Sequence, residues 1–296
     1  MGEFLGLALH YMNGRQGVNR QQAVGQREGV SRHWSPSPLL YASAAVHLGA
    51  ATALLARPRA WPWALGAVVA NHCALAAAGL WPRSQLLGTN WTRLPANGGL
   101  PGRVAITIDD GPDPDVTPQV LSQLAAYGAH ATFFCVGERV ERYADLAREI
   151  VSRGHDIENH SQRHRHHFSL MGPCSMSEEI SRGQDSILRV TGSSPRFFRA
   201  PAGLRNPFLD PVLTRLHLRL VSWTRRGFDT VSPNAATVYR RLTNGLQGGD
   251  ILLLHDGNAA RSHSGKPVIL EVLPQLLDAM ALQQLRPVTL RSAIPS

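Results

Sequence analysis

The strongest constraint on the fold is an alternation that begins at Val104 and continues to the end of the chain. Short apolar runs of strand length alternate with longer amphipathic stretches, such as residues 117–127, where Val120, Leu121 and Leu124 share one helical face. This alternation predicts an α/β fold with a parallel sheet, open or closed into a barrel. The predicted strands are 104–108, 131–136, 155–158, 197–199, 218–223, 251–254 and 288–290, and the predicted helices are 117–127, 138–153, 177–190, 207–216, 234–246 and 267–284.

Polar side chains follow five of these predicted strands. In a parallel barrel the carboxyl ends of the strands meet on one face, and active sites lie there. The sequence therefore predicts one site built from separate segments. Its candidate residues are Asp109, Asp110, His160, His164, Arg199, Asp229 and His255.

Two of these segments have the spacing of a metal site. His160 and His164 are four residues apart, which places both imidazoles on one face of a helical turn, suited to one zinc ion. Of the adjacent carboxylates of Asp109 and Asp110, one can bind a metal while the other acts as a base. Three protein ligands plus water is the catalytic pattern. The alternatives are a solvated Asp-Gly-Pro turn and a solvated His-rich loop.

The remaining candidates suggest acid–base chemistry. His255 ends a fully apolar run, and its place on the shared face favours an acid or base role over a structural one. Asp229 is positioned to orient His255 and to stabilise its imidazolium. Arg199, if partly buried, needs a carboxylate, and Asp109 is the candidate. Surface ion pairs are the alternative for both.

Four motifs, in this order, resemble the polysaccharide deacetylases of carbohydrate esterase family 4, the NodB-type domain. Residues 107–112 (TIDDGP) resemble the family's T-F-D-D-G-P, and residues 160–164 (HSQRH) resemble its H-[ST]-x-x-H. Residues 199–201 (RAP) are similar to its R-x-P, and residues 253–255 (LLH) to its last motif. Together they span about residues 101–291.

The resemblance implies a distorted (β/α) barrel of the polysaccharide deacetylase type, and metal-dependent removal of N-acetyl groups from an amino-sugar glycan. It also implies a divalent metal cofactor, usually Zn²⁺, with Co²⁺ as a substitute. Each candidate residue takes a role from the family pattern. Asp110, His160 and His164 would bind the metal. Asp109 would be the general base, oriented by Arg199, and His255 would be the general acid, with its pKa adjusted by Asp229. The backbone N–H of Ala202, which follows Pro201, would bind the oxyanion.

The sequence departs from the family pattern at two places. Ala202 stands where the family usually has Tyr, and residues 228–230 (FDT) lack the Trp of the usual Asp-Trp pair. A sugar-binding groove like that of polymer-acting members is therefore not assured. Two other functions stay open: an O-acetyl esterase or deformylase acting on a polysaccharide or lipid-linked sugar, and a non-catalytic glycan-binding module.

Two runs without formal charge precede the catalytic motifs, at residues 39–56 and 61–81. Each is about long enough to cross a bilayer core of roughly 30 Å, and Trp61 and Trp81 stand at run ends, where indoles favour the headgroup zone. They predict a transmembrane hairpin over residues 35–82, anchored in a bacterial inner membrane. Two buried helices of a soluble protein are the alternative. Arginines flanking both ends slightly favour cytoplasmic termini, so the side that the domain faces stays open.

The first 100 residues, which include the hairpin, carry most of the net charge. The net charge of +9 and the pI near 10.4 would suggest a nucleic-acid partner. Residues 1–100 carry eight arginines against Glu3 and Glu28, a net of +6, which leaves +3 for the rest. We therefore expect a membrane and a glycan as partners, and no nucleic acid. The predicted organisation is a disordered segment (1–34), the hairpin, a linker (83–100) and a deacetylase domain (101–296).

Overall fold

The computed structural model describes residues 33–95 and 102–294, so nearly all of the predicted disordered segment lies outside the described residues. Strands and helices alternate along the second range, as the sequence predicts. The helices are α1 Pro38–Ala56, α2 Trp61–Leu80, α3 Thr117–Ala126, α4 Gly137–Arg142, α5 Ala144–Ser152, α6 Pro173–Thr191, α7 Leu209–Arg215, α8 Ala235–Thr243 and α9 Val268–Leu282. The strands are β1 Arg103–Asp109, β2 Thr132–Cys135, β3 Asp156–Asn159, β4 Phe197–Phe198, β5 Arg219–Leu220, β6 Arg225–Arg226, β7 Ile251–His255 and β8 Arg286–Val288.

All eight strands form one parallel sheet in the order β5-β4-β3-β2-β1-β7-β6, with β8 paired to the first half of β1. The two edge strands, β5 and β6, are joined by only residues 221–224. Because so short a connection cannot cross a flat sheet of seven strands, the sheet must curl until its edges approach each other. The result is an open half-barrel.

A segment from the predicted linker lies in the gap between the two sheet edges. The Trp91 N–H donates to the Leu220 carbonyl at 2.9 Å, and the Ser222 N–H donates to the Trp91 carbonyl at 2.8 Å. On the other side, the Thr224 hydroxyl, just before β6, donates to the Thr92 carbonyl at 2.6 Å, and the Leu94 N–H donates to the carbonyl of Gly249, two residues before β7, at 2.8 Å. Residues 91–94 therefore form part of the barrel wall.

The strand β1 shows how the sheet positions the site. Val104, Ile106 and Ile108 are buried in the core between the sheet and its helices. Ala105 instead joins a second apolar cluster that includes Phe134 and Phe197 and fills the inner side of the curl. Because side chains alternate along a strand, Thr107 and Asp109 share the inner face with Ala105.

Three elements differ from the sequence expectation. The predicted helix 138–153 is two helices, since the backbone of Tyr143 leaves the helical region (φ −118°, ψ 52°). The strand β8 begins two residues before the predicted start at 288. The strand β6 was not predicted, because its two arginines carry no apolar pattern; it pairs with Leu252 and Leu253 of β7.

Helices α1 and α2 form a hairpin whose polar groups face each other. The Asn71 amide donates to the Ser43 hydroxyl at 2.9 Å, and His47 and His72 approach to 3.4 Å between their Nε2 atoms. The most apolar windows of the two helices are only 6% and 22% buried, and both helices are long and apolar enough to cross a membrane. In the described part of the chain they are therefore not core helices of the barrel.

Candidate active site

The strand register brings the predicted residues together. Asp109 ends β1 directly beside His255 of β7 and Phe134 of β2. His160 follows β3, and Arg199 follows β4, whose last residue pairs with Asn159. All of these are carboxyl ends of neighbouring parallel strands, so the side chains converge at one end of the half-barrel, as the sequence predicts.

Asp110, His160 and His164 form a compact cluster of metal-ligand type. One ligand atom from each lies within 4.8 Å of the other two. The Nε2 atoms of His160 and His164 lie 3.3 and 3.2 Å from the Asp110 Oδ1. Asp110 and His160 are buried and His164 is partly exposed, so the cluster lies at the floor of an open cavity.

The protonation of this cluster fits a bound cation. The Asp110 Oδ1 is buried and accepts no hydrogen bond from any described residue. The His160 Nδ1 donates to the Arg199 carbonyl at 2.8 Å, which leaves its Nε2 lone pair directed at the carboxylate. Three ligands of these types, with space on the cavity side, match a catalytic metal site in which solvent or substrate completes the coordination.

The pKa shifts in the cluster also suit metal binding. Burial raises the pKa of Asp110, but its interactions with His160, His255 and His164 together outweigh burial and hold that pKa well below its ordinary value. Burial lowers the pKa of His164 to about 4, so this imidazole is neutral at pH 7, as a metal ligand must be. Burial also lowers the pKa of His160, but the carboxylates of Asp109 and Asp110 raise it above its ordinary value. The two carboxylates therefore favour positive charge at this position, which a bound cation would supply.

Asp109 is held by a fully buried arginine. The Arg199 Nη1 donates to the Asp109 Oδ1 at 2.6 Å and to the Thr107 hydroxyl at 2.8 Å. Its Nη2 donates to the Ser222 carbonyl at 2.8 Å, and the guanidinium lies 4.1 Å from the centroid of the Phe134 ring. These contacts fix the Asp109 carboxylate in place. Its second oxygen remains 3.8 Å from the His160 Nε2.

His255 forms a buried pair with Asp229. The His255 Nδ1 donates to the Asp229 Oδ1 at 2.9 Å, and the His255 backbone N–H donates to the other carboxylate oxygen at 2.7 Å. Burial lowers the pKa of His255, but the carboxylates around it, Asp229 first and then Asp109 and Asp110, together raise that pKa to about 9. The imidazole is therefore protonated at neutral pH.

Ala202 lies at a turn that opens onto the same cavity. It has a left-handed backbone (φ 54°) in the short 3-10 helix Pro201–Gly203. An N–H in the first turn of a helix has no acceptor within that helix, so the Ala202 N–H is available to a ligand. A non-glycine residue at positive φ costs free energy, and such residues cluster at functional sites. Of the eight described here, six lie in or beside this site: Asp110, Ser161, His164, Ala202, Phe228 and Asn258.

The cavity above these groups has a volume of about 550 Å³. Asp109, Asp110, His160, His164 and His255 line its floor. Its upper wall, here called the rim, contains Trp223 and four arginines. The rim arginines are Arg139, Arg142, Arg163 and Arg226.

Comparisons with known proteins identify the family. The family model of polysaccharide deacetylases matches residues 97–221. A peptidoglycan N-acetylglucosamine deacetylase of Bacillus cereus is 34% identical over 175 residues, which are 58% of this chain and 81% of that protein. The chain belongs to the polysaccharide deacetylase family. As a polysaccharide deacetylase it is a hydrolase that acts on carbon–nitrogen bonds.

Two further relatives extend this result. A chitooligosaccharide deacetylase of Azorhizobium caulinodans is 34% identical over 155 residues, or 52% of this deacetylase and 73% of that protein. The solved structure of a family 4 carbohydrate esterase from Streptomyces lividans, in complex with acetate, superposes with a TM-score of 0.57. It is 29% identical, with 63% of this chain and 91% of that chain covered. The family resemblance read from the motifs is confirmed, and so is the fold, as a curled parallel half-barrel.

The structure of this deacetylase adds residues that sequence reasoning did not assign. The Asn258 amide donates to the Asp110 Oδ2 at 3.0 Å and so orients the carboxylate. Asp256 is buried beside Gly111 and accepts from the Thr117 hydroxyl at 2.5 Å. The only sequence signal for them is proximity to His255: Asp256 follows it directly, and Asn258 comes three residues after it.

Proposed function

We propose that this deacetylase removes N-acetyl groups from an amino-sugar glycan by metal-assisted hydrolysis. Its relatives are named as deacetylases of peptidoglycan N-acetylglucosamine and of chitooligosaccharides, which supports an acetamido sugar as substrate. The observation that carries the proposal is that one cavity floor holds the three-ligand cluster, the clamped carboxylate of Asp109 and the imidazole of His255.

Asp110, His160 and His164 would hold the divalent metal, Zn²⁺ first and Co²⁺ as a substitute. A cation bound there would polarise the acetamide carbonyl and lower the pKa of a nearby water molecule. The His160–Arg199 carbonyl hydrogen bond and the Asn258–Asp110 hydrogen bond support this role, because such outer contacts orient metal ligands.

Asp109 would act as the general base. Arg199 engages only its Oδ1, so Oδ2 is directed at the cavity and can take the proton of the attacking water. The fixed orientation of the carboxylate by Arg199 favours this transfer, because proton transfer requires hydrogen-bond reach. Arg199 and Thr107 are positioning residues in this scheme, and the N–H of Ala202, after Pro201, would donate to the carbonyl oxygen as negative charge develops.

His255 would act as the general acid. Its Nδ1 bonds Asp229, so its Nε2–H is the proton that faces the cavity. An amide nitrogen must be protonated before it can leave, and an imidazolium with a pKa near 9 carries that proton at pH 7. An alkoxide leaves an ester with less help, so this arrangement favours N-deacetylation over the O-acetyl esterase alternative. The presence of every acid, base and ligand residue argues against a non-catalytic binding module.

The test is acetate release by the purified chain from N-acetylated chito-oligosaccharides and from matched O-acetylated sugars. We expect release from the N-acetyl substrate, loss with a chelator and recovery with Zn²⁺ or Co²⁺. Asp109→Asn should lower kcat by about 10²–10⁴-fold while the metal content stays at wild-type level. Exposed Asp115→Asn is the matched control. Full activity after chelation, or in Asp109→Asn, would contradict the proposal.

We also propose that residues 35–82 anchor the catalytic domain, residues 101–296, in a bacterial inner membrane, with residues 83–100 as the connection. The exposed apolar surface of α1 and α2 and the pairing of their polar groups with each other support an anchor. We expect the full chain to stay in the membrane pellet after alkaline carbonate extraction. Release into the supernatant would contradict the anchor, and a reporter fused to the C-terminus would assign the side that the domain faces.

A further inference from the structure

The cavity rim carries more positive charge than its carboxylates can neutralise. Besides the floor residues, its charged groups are four arginines and one carboxylate, Glu138. Glu138 is already paired with Arg163 at 2.8 Å, and Arg139 lies 3.7 Å from Asp113. Arg142 and Arg226 form no ion pair with any described residue. A neutral glycan offers nothing that requires these two cations.

Arg226 is held in place although it has no acidic partner. Its guanidinium carbon lies 5.3 Å from the Trp223 ring centroid and 4.9 Å from that of Phe228. Its Nε is buried without a hydrogen-bond acceptor among the described residues. A buried N–H without an acceptor destabilises the protein, whereas an arginine fixed by aromatic rings is preorganised to bind a planar or tetrahedral anion. The buried Nε is out of reach of a ligand, but the guanidinium lines the cavity and has no acidic partner among the described residues, so we expect the substrate to supply the anion.

The helical hairpin joins the barrel beside this rim. The Arg205 N–H donates to the Gly79 carbonyl at 3.2 Å, near the end of α2. Three residues later, the Ser222 hydroxyl donates to the Pro82 carbonyl at 2.6 Å, and the Arg83 guanidinium donates to the Thr224 carbonyl at 3.2 Å. These acceptors and donors flank Trp223, which lines the cavity. The end of the proposed membrane span is thus next to the cavity mouth.

Exposed apolar side chains surround the same junction. Leu86 is 52% exposed, and its carbonyl accepts from the hydroxyl of Ser37, which precedes α1. Phe208 (47%) and Leu170 (84%) lie on two loops joined by hydrogen bonds of the Asn206 amide, next to Arg205. If the domain is anchored, this apolar surface would contact the lipid headgroups of the membrane, where anionic groups are concentrated.

We propose that the substrate is an acetamido sugar that carries a phosphoryl group, bound through Arg226 and Arg142 while the acetamide lies on the cavity floor. The inference rests on the proposed deacetylase function. Arginine binds phosphate oxygens through paired N–H donors, and two arginines with no acidic partner match the charge of a phosphoryl group. The position of the hairpin favours a lipid-linked phosphoryl sugar over a soluble one.

The test compares acetate release by the full chain in detergent from substrates that differ only in the anion. N-acetylglucosamine 1-phosphate is paired with the neutral methyl N-acetylglucosaminide, and a prenyl diphosphate-linked N-acetylglucosamine is the lipid-linked arm. We expect kcat/KM to be about 10-fold or more higher for the phosphorylated sugar, the effect of one charge-assisted pair. A further increase for the prenyl-linked sugar indicates a lipid source, and equal values for both phosphorylated sugars indicate a soluble one.

The variants separate recognition from structure. Arg226→Gln should reduce the preference for the phosphorylated sugar by about 10-fold, and Arg142→Gln, at the exposed end of α4, should reduce it without disturbing the aromatic wall. Arg286→Gln is the matched control, because Arg286 is exposed at the opposite end of the sheet and has no acidic partner among the described residues. Two results would overturn the inference. One is turnover of the neutral sugar, or of a muramic-acid glycan, that is equal to or faster than turnover of the phosphorylated sugar. The other is an unchanged preference for the phosphorylated sugar in both variants. Acetate release from none of the substrates would instead contradict the deacetylase function itself.

Discussion

The floor and the rim of the cavity are built on opposite principles. On the floor, charged groups have specific partners: Asp109 has Arg199 at 2.6 Å, and His255 has Asp229 at 2.9 Å. On the rim, Arg142 and Arg226 have no acidic partner among the described residues. The floor residues match the motifs of the family, whereas both departures from its pattern lie at other positions of the cavity wall, at Ala202 and at Thr230, which follows Asp229 where the family usually has Trp.

This difference indicates that the floor carries out the reaction and that the rim selects the substrate. A buried charge needs a partner to remain charged, so the floor residues are fixed by one another, and few substitutions are compatible with the chemistry. The rim arginines line the cavity and only have to complement what enters it. We therefore expect floor variants to abolish turnover of every substrate, and rim variants to change which substrate is preferred.

The largest expected effect is the loss of a floor ligand. His164→Ala removes one of three candidate metal ligands, and we expect kcat to fall by at least about 10³-fold, because a bound cation supplies several kcal/mol of charge stabilisation. Metal content measured by mass spectrometry should fall in parallel. His167→Ala is the matched control, since this exposed imidazole lies outside the cavity. Wild-type turnover at full metal loss would show that the cluster is not part of the reaction.

A smaller effect on turnover is expected when Asp229, the carboxylate paired with the proposed general acid His255, is replaced. Because His255 must be protonated to donate, activity should fall as pH rises through its pKa of about 9. Asp229→Asn removes the carboxylate that raises this pKa and leaves the burial that lowers it. The alkaline limb of the kcat profile should therefore move to lower pH, while kcat at the acidic end changes less. An unshifted limb would exclude His255 as the group that titrates.

The sequence predicted the floor well because its residues belong to continuous local motifs. Asp109 and Asp110 follow an apolar strand, and the spacing of His160 and His164 is visible without any structure. The pairing of Asp109 with Arg199 was also foreseen, because a buried guanidinium needs a carboxylate. The roles remain proposals, but the structure brings the predicted side chains to one cavity.

The rim was not predictable, because it is made by the curl of the sheet. The strand β6 has two residues and no apolar pattern, yet it places Arg226 between Trp223 and Phe228. The segment at residues 91–94 looked like a linker because its pairing partners, Leu220 and Gly249, are more than 100 positions away. Contacts of this kind depend on how the sheet edges meet, which no local spacing encodes.

The smallest expected effect concerns the departure at Ala202. Ala202→Tyr restores the residue usual in the family, keeps the backbone N–H that would bind the oxyanion and adds an aromatic ring to the rim. If the rim determines preference, KM for a neutral chito-oligosaccharide should fall by about 2–10-fold, the effect of one aromatic contact, with kcat nearly constant. Ala202→Leu is the matched control, because it adds apolar bulk at the same positive φ without a ring to stack on a sugar. A fall in kcat by the factor seen for floor variants would instead place the Ala202 side chain in the chemistry, and the division between floor and rim would fail at this position.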